Sequence, residues 1–196
     1  MGTVYTIGHS SHSFEAFAGL LAGHDIEVVV DTRSSPYSKF APQFDRAALQ
    51  RDLPASAVKY LFLGDQLGGR PRGEEYYDDA GRVLYGKRTS APAFMTGIER
   101  LERGIAQFRV ALMCGEEDPA HCHRRLLIGR VLVERGHELL HIRADGHLET
   151  ESDVARESNK PLAKPQPALF AELDEDQWRS TASVLPKKAP ASSSAR

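Results

Sequence analysis

Residues 28–33 read VVVDTR. Three successive β-branched apolar residues leave no polar alternation, so a strand made from them must be covered on both faces, as inner strands of parallel sheets are. The run then breaks into an acid, a hydroxyl and a base. A covered strand that opens into polar chain at its carboxyl end is the layout of an open α/β sheet with a ligand site at that edge.

Outward from this strand the same unit recurs. Val4 to Ile7 is a β-prone run closed by Gly8, and Ser13 precedes Phe14, Phe17, Leu20 and Leu21 at helical spacing. Asp45 stands where it would cap a helix carrying Leu49 and Leu53, and Val58 to Leu63 (VKYLFL) makes a third strand before the loop GDQLGGRPRG. Glu74 to Arg88 has no clear period and carries no assignment. Phe94, Met95, Ile98, Leu101 and Ile105 mark a helix from about Pro92, followed by a fourth strand, Arg109 to Met113. Leu126, Leu127, Val131 and Leu132 mark a further helix that ends at Gly136, a residue suited to a left-handed helix terminus. Glu138 to Ile142 is the fifth strand, and Ala144-Asp145-Gly146 reads as a hairpin turn into a short edge strand. The alternation predicts an α/β, Rossmann-like three-layer domain over residues 1–150, with a mostly parallel sheet of about five strands. Beyond about Glu151 the composition turns to Lys, Pro, Ser and Ala, which predicts a flexible tail over residues 151–196.

The chain of 196 residues is long enough for one domain with a proper core. Its net charge of −2 supplies no global basic field for nucleic acid or anionic lipid, so a polyanion would have to be met by a local patch. No run of 18 apolar residues or secretory leader is evident, which predicts a cytoplasmic protein without membrane contact. Two cysteines cannot form a disulfide framework, and a reducing compartment keeps both as thiols.

Four loops deliver the polar residues to one sheet edge: Gly8-His9-Ser10, Asp31-Thr32-Arg33, the segment from Gly64 to Arg70, and Cys114-Gly115-Glu116. The densest stretch is Met113 to Gly129, MCGEEDPAHCHRRLLIG, which holds both cysteines. TIGHS at Thr6 to Ser10, VDTRSSPYS at Val30 to Ser38, LGGR at Leu67 to Arg70 and C-G-E-x-x-P-x-x-C-H-R from Cys114 to Arg124 together closely resemble the domain of unknown function 488 family. The likeness runs over roughly residues 3 to 150. It implies a bacterial-type cytosolic α/β domain with these signature residues, and it implies no particular reaction.

A helix beginning near His121 or Cys122 would present free N–H groups and a positive dipole end to the site. With Ser10, Arg33, Arg70 and Arg124 around it, the expected ligand is a phosphate, in a nucleotide or DNA, and Arg33→Ala or Arg124→Ala should weaken its binding with the fold intact. Arg124 could instead pair internally with Glu116 or Asp31. Glu116 and Asp31 are the candidate carboxylates for proton transfer, with His9 or His123 as the partner acid or base. Cys122, in the first helical turn, is the candidate nucleophile, whereas Cys114 at a strand end reads as packing. No Cys-x5-Arg pattern is present, which disfavours phosphatase chemistry at a thiolate. Cys114, Cys122, His123 and either His9 or His121 suffice in number for zinc, yet the close ligand pairs of familiar sites are missing, so no metal or cofactor is expected.

Gln166-Pro167-Ala168-Leu169-Phe170 resembles the short peptide by which DNA repair and replication proteins dock on the bacterial sliding clamp. The combined expectation is an enzyme, or an enzyme-derived domain, acting on a nucleotide or DNA in repair. The hydrolase or transferase reading has two alternatives: a non-catalytic nucleotide-binding adaptor, and a Cys-dependent transferase or phosphatase.

Overall fold

The computed structural model describes residues 1–158 and 178–185. Its six-stranded sheet comprises β1 (Thr3–Gly8), β2 (Val28–Asp31), β3 (Lys59–Phe62), β4 (Val110–Cys114), β5 (Glu138–Ile142) and β6 (Leu148–Thr150). They are arranged β3-β2-β4-β1-β5-β6. The first five run parallel, and β6 is the antiparallel edge reached through the hairpin turn. Every residue of β2 and β4 is buried. Alternation along β2 explains how: Val28 and Val30 enter one hydrophobic cluster and Val29 enters the other, on the opposite face.

The covering helices are α1 (Phe14–Gly23), α2 (Arg46–Asp52), α3 (Gly64–Leu67), α4 (Tyr85–Thr89), α5 (Pro92–Ile105), α6 (Arg130–Glu134) and α7 (Glu151–Ser158). Ser13 caps α1 by accepting from the Ala16 N–H at 3.1 Å. Asp45 precedes α2 as expected but caps nothing, because its carboxylate accepts from the Ser38 N–H at 2.8 Å instead. The segment without a period, Glu74 to Arg88, contains a 3-10 turn at Glu74–Tyr76 and the short α4. A π-helical turn, Arg124–Gly129, leads straight into α6, and all six of its residues are buried, both arginines included. Gly136 follows α6 with φ +86°, the left-handed conformation expected there.

The ordered chain extends past the expected boundary at residue 150. Val154 of α7 is buried, and the Glu151 carboxylate accepts from Arg125 Nε at 2.8 Å and Nη2 at 2.6 Å, with His141 Nε2 at 3.2 Å. What docks α7 is a carboxylate and one apolar residue, and neither registers as helical periodicity. Residues 178–185 also pack on the domain. Trp178 Nε1 donates to the Leu126 carbonyl at 2.9 Å, Arg130 lies over the indole at 4.1 Å, and the Ser180 N–H donates to the Val83 carbonyl at 2.9 Å. The Gln166–Phe170 peptide lies outside the described residues. No helix among the described residues is long and apolar enough to cross a membrane.

Candidate functional site

A pocket of about 620 Å³ opens at the carboxyl ends of β2 and β4. Its lining includes Arg33, Ser34 and Ser35 after β2, Gly69 and Arg70 after α3, and Cys114, Gly115 and Glu116 after β4. His121, Cys122 and His123 complete that side, and residues 180–184 form the facing wall. Three of the four loops named from the sequence therefore line one cavity. The fourth supports them from behind: the His9 N–H donates to the Cys114 carbonyl at 2.9 Å and the Ser10 N–H to the Gly115 carbonyl at 3.0 Å. Gly8 is required there because a Cβ would stand 1.9 Å from the Glu116 carbonyl oxygen. Ser10, with φ +45°, turns the chain at this point and does not reach the lining.

The predicted arginines divide into three roles. Arg33 is buried and grips Asp31, donating from Nε at 2.9 Å and Nη2 at 2.7 Å, and Nη2 also reaches the Phe44 carbonyl at 2.6 Å. Asp31 additionally accepts from the Tyr60 hydroxyl at 2.7 Å, so this fully buried carboxylate is held by structural donors and lies behind the lining. Arg124 is fully buried as well. Its guanidinium donates to the carbonyls of Glu116 and Glu117 and, at 3.3 Å, from Nε to the Thr6 hydroxyl, so it shapes the loop after β4 rather than facing the cavity. The anticipated internal role of Arg124 thus uses backbone carbonyls, while the internal carboxylate pair belongs to Arg33. Arg70 alone among the three is exposed in the lining, and no hydrogen bond or ion pair engages its guanidinium among the described residues.

His9 is stacked on Phe44, with ring centroids 4.4 Å apart. Its Nδ1–H donates to the Ser10 carbonyl at 3.0 Å, which leaves Nε2 to accept from Arg33 Nη1 at 3.0 Å. Burial, then the Arg33 cation, lowers its pKa from 6.5 to about 4. Neutral His9 is thus a brace for Arg33. Because the unfolded chain takes up this proton near pH 6.5 and the fold only near pH 4, the contribution is full above pH 6.5 and is lost on acidification through that window. Unfolding in urea should show this as roughly 2 to 3 kcal/mol less stability at pH 4.5 than at pH 7, measured as the difference between wild type and His9→Gln. Identical pH profiles for the two proteins would remove His9 from the account.

The buried end of the pocket holds Cys114, Cys122 and His123. The helical winding starts at His123, directly after Cys122, whose carbonyl accepts from the Leu126 N–H at 2.9 Å, while His121 closes a separate 3-10 turn, Pro119–His121. His123 Nε2 lies 3.0 Å from the Thr32 carbonyl, an acceptor only, so Nε2 carries the proton and the Nδ1 lone pair turns to the sulfurs. Nδ1 is 3.7 Å from Cys114 Sγ and 3.9 Å from Cys122 Sγ. Gly69 permits this ring position, since a Cβ there would meet His123 Cγ at 2.6 Å. The two buried thiols shift in opposite directions. A hydrogen bond from Cys122, against burial and aided by Arg124, brings the Cys114 thiol down to about 7, whereas burial pushes Cys122 up to about 12. Glu116 and His121 are exposed in the lining, and no hydrogen bond holds either side chain among the described residues.

Sequence reasoning missed Tyr85, buried in the lining, and the wall formed by residues 180–184. Tyr85 belongs to a segment without periodicity, and the wall to a stretch whose composition resembles a linker. A family model described as Domain of unknown function DUF488 matches residues 13–131. No curated protein and no solved structure matches the chain.

Proposed function

Because the chain belongs to the DUF488 family, whose description assigns no reaction, we propose from the pocket itself that this protein is an enzyme acting on a phosphate-bearing ligand of nucleotide size. The observation that carries the reading is Arg70: an exposed guanidinium, free of internal partners among the described residues, beside the hydroxyls of Ser34 and Ser35 in a cavity of about 620 Å³. Its planar fork suits two phosphate oxygens, and the rigid Arg33–Asp31 pair adjoins it. Tyr37, 70% exposed in the same lining, offers a face on which a base can stack. Among the lining groups able to move a proton, Glu116 and His121 are the exposed ones, one serving as base and the other as acid in hydrolysis or group transfer. The Gln166–Phe170 motif is the sequence argument for DNA in a repair setting over a free nucleotide.

Titration with inorganic phosphate and with nucleoside monophosphates tests the reading. Arg70→Ala should weaken binding roughly 10-fold to 100-fold, the range of one charge-assisted hydrogen bond to phosphate. Glu116→Gln should abolish turnover with binding retained. Equal affinity of wild type and Arg70→Ala would overturn the anion assignment, and wild-type binding without any turnover would favour the adaptor alternative.

A further inference from the structure

Cys114, Cys122 and His123 come from the end of a central strand and the approach to a buried helix, and their three ligand atoms all lie within 4.8 Å of one another. We propose that they form a binding site for zinc or a similarly thiophilic divalent ion, with a fourth coordination position facing the pocket. A tetrahedral zinc ion at ordinary bond lengths holds sulfur and nitrogen ligands about 3.6 Å apart. The two sulfur-to-Nδ1 separations, 3.7 and 3.9 Å, are therefore close to ligand spacing as they stand.

Three further observations support a metal over a plain thiol–imidazole contact. His123 donates Nε2–H to the Thr32 carbonyl, the outer hydrogen bond that fixes a ligating histidine in the tautomer with Nδ1 free for the ion. Nδ1 lies within 3.9 Å of both sulfurs, so a single ion in place of the thiol protons engages all three atoms. All three residues also line the cavity, so water or a substrate oxygen can reach the remaining position. The donor set of two thiolates and one imidazole selects a soft or borderline cation over magnesium or calcium. The sequence spacing argues against the set, since two ligands are adjacent and Cys114 lies eight residues before Cys122, but the loop pinned by Arg124 brings all three together.

Loading proceeds with proton balance: each thiol that ligates releases one proton to solvent as the metal–sulfur bond forms, and His123 coordinates as the neutral imidazole. No electron transfer is involved. The site shares the pocket with the phosphate reading but does not depend on it. Metal uptake is measured without phosphate, and phosphate binding on metal-stripped protein, so either can fail alone.

The full chain, purified under reducing conditions, should carry zinc at close to one ion per chain by elemental analysis. Stripped protein reloaded with cobalt(II) should show thiolate-to-cobalt charge transfer and the intense visible bands of a four-coordinate site. X-ray absorption at the zinc edge should give two sulfur ligands with the remainder nitrogen or oxygen. Cys114→Ser, Cys122→Ser and His123→Ala should each lose the stoichiometric metal. Because a buried substitution can unfold the protein, absorption on the wild type is the deciding measurement. Failure of folded, reduced wild type to take up zinc or cobalt, or coordination by oxygen and nitrogen alone, overturns the proposal.

Discussion

Arg33→Ala should lower the stability of the fold by about 3 to 5 kcal/mol, the cost of removing one member of a buried ion pair and leaving the other charged in the interior. Asp31 is fully buried and receives the Arg33 backbone N–H as well as two guanidinium contacts. Without the guanidinium it keeps, among the described residues, that N–H and the Tyr60 hydroxyl, too little to replace a cation. The melting temperature should fall by on the order of 10 °C. An Asp31→Asn, Arg33→Gln double variant should recover part of the loss, because no bare carboxylate remains. This replaces the expectation of an exposed arginine whose removal leaves the fold intact. Unchanged thermal stability with weakened phosphate binding would return Arg33 to the ligand.

The second large effect is at Glu151. Glu151→Ala takes the two-point carboxylate from the Arg125 guanidinium, which has no exposed surface, and from His141, also fully buried. The expected loss is about 3 kcal/mol, toward the low end for a broken buried pair because Glu151 retains 16% exposure. Cutting the chain after residue 150 should cost more, since the Val154 contact goes with it. Glu151→Gln separates charge from shape: it should fall between wild type and alanine in urea unfolding. A truncation as stable as the full chain would restore the reading of residues 151–158 as a dispensable tail.

The sequence is most legible where physics is local. VVVDTR could be placed on a covered inner strand because alternate valines must enter opposite cores, and the hairpin turn before β6 was readable from its turn residues. Loops at one sheet edge followed from the alternation of strands and helices. Burial of arginine was not readable in this way. Arg33 and Arg124 occupy loop and helix-start positions that suit an anion site, and only the surrounding carboxylate and carbonyls decide that they face inward. The docking of α7 rests on contacts between residues 26 and 10 positions apart, invisible to a periodic pattern. The meeting of both sulfurs at His123 Nδ1 is likewise invisible in the sequence, because it depends on how the loop between Cys114 and Cys122 folds back.

The wall of the pocket formed by residues 180–184 has a consequence for how the protein is made. A ribosome releases the chain from its amino end, and the sheet has all six strands once Thr150 has emerged. The wall is translated about thirty residues later, and Trp178 is the clasp that fastens it to the Leu126 carbonyl. A nascent chain therefore passes through a stage with a complete sheet and an unenclosed cavity. Closure of the cavity comes after the part of the molecule that carries the signature residues has been translated.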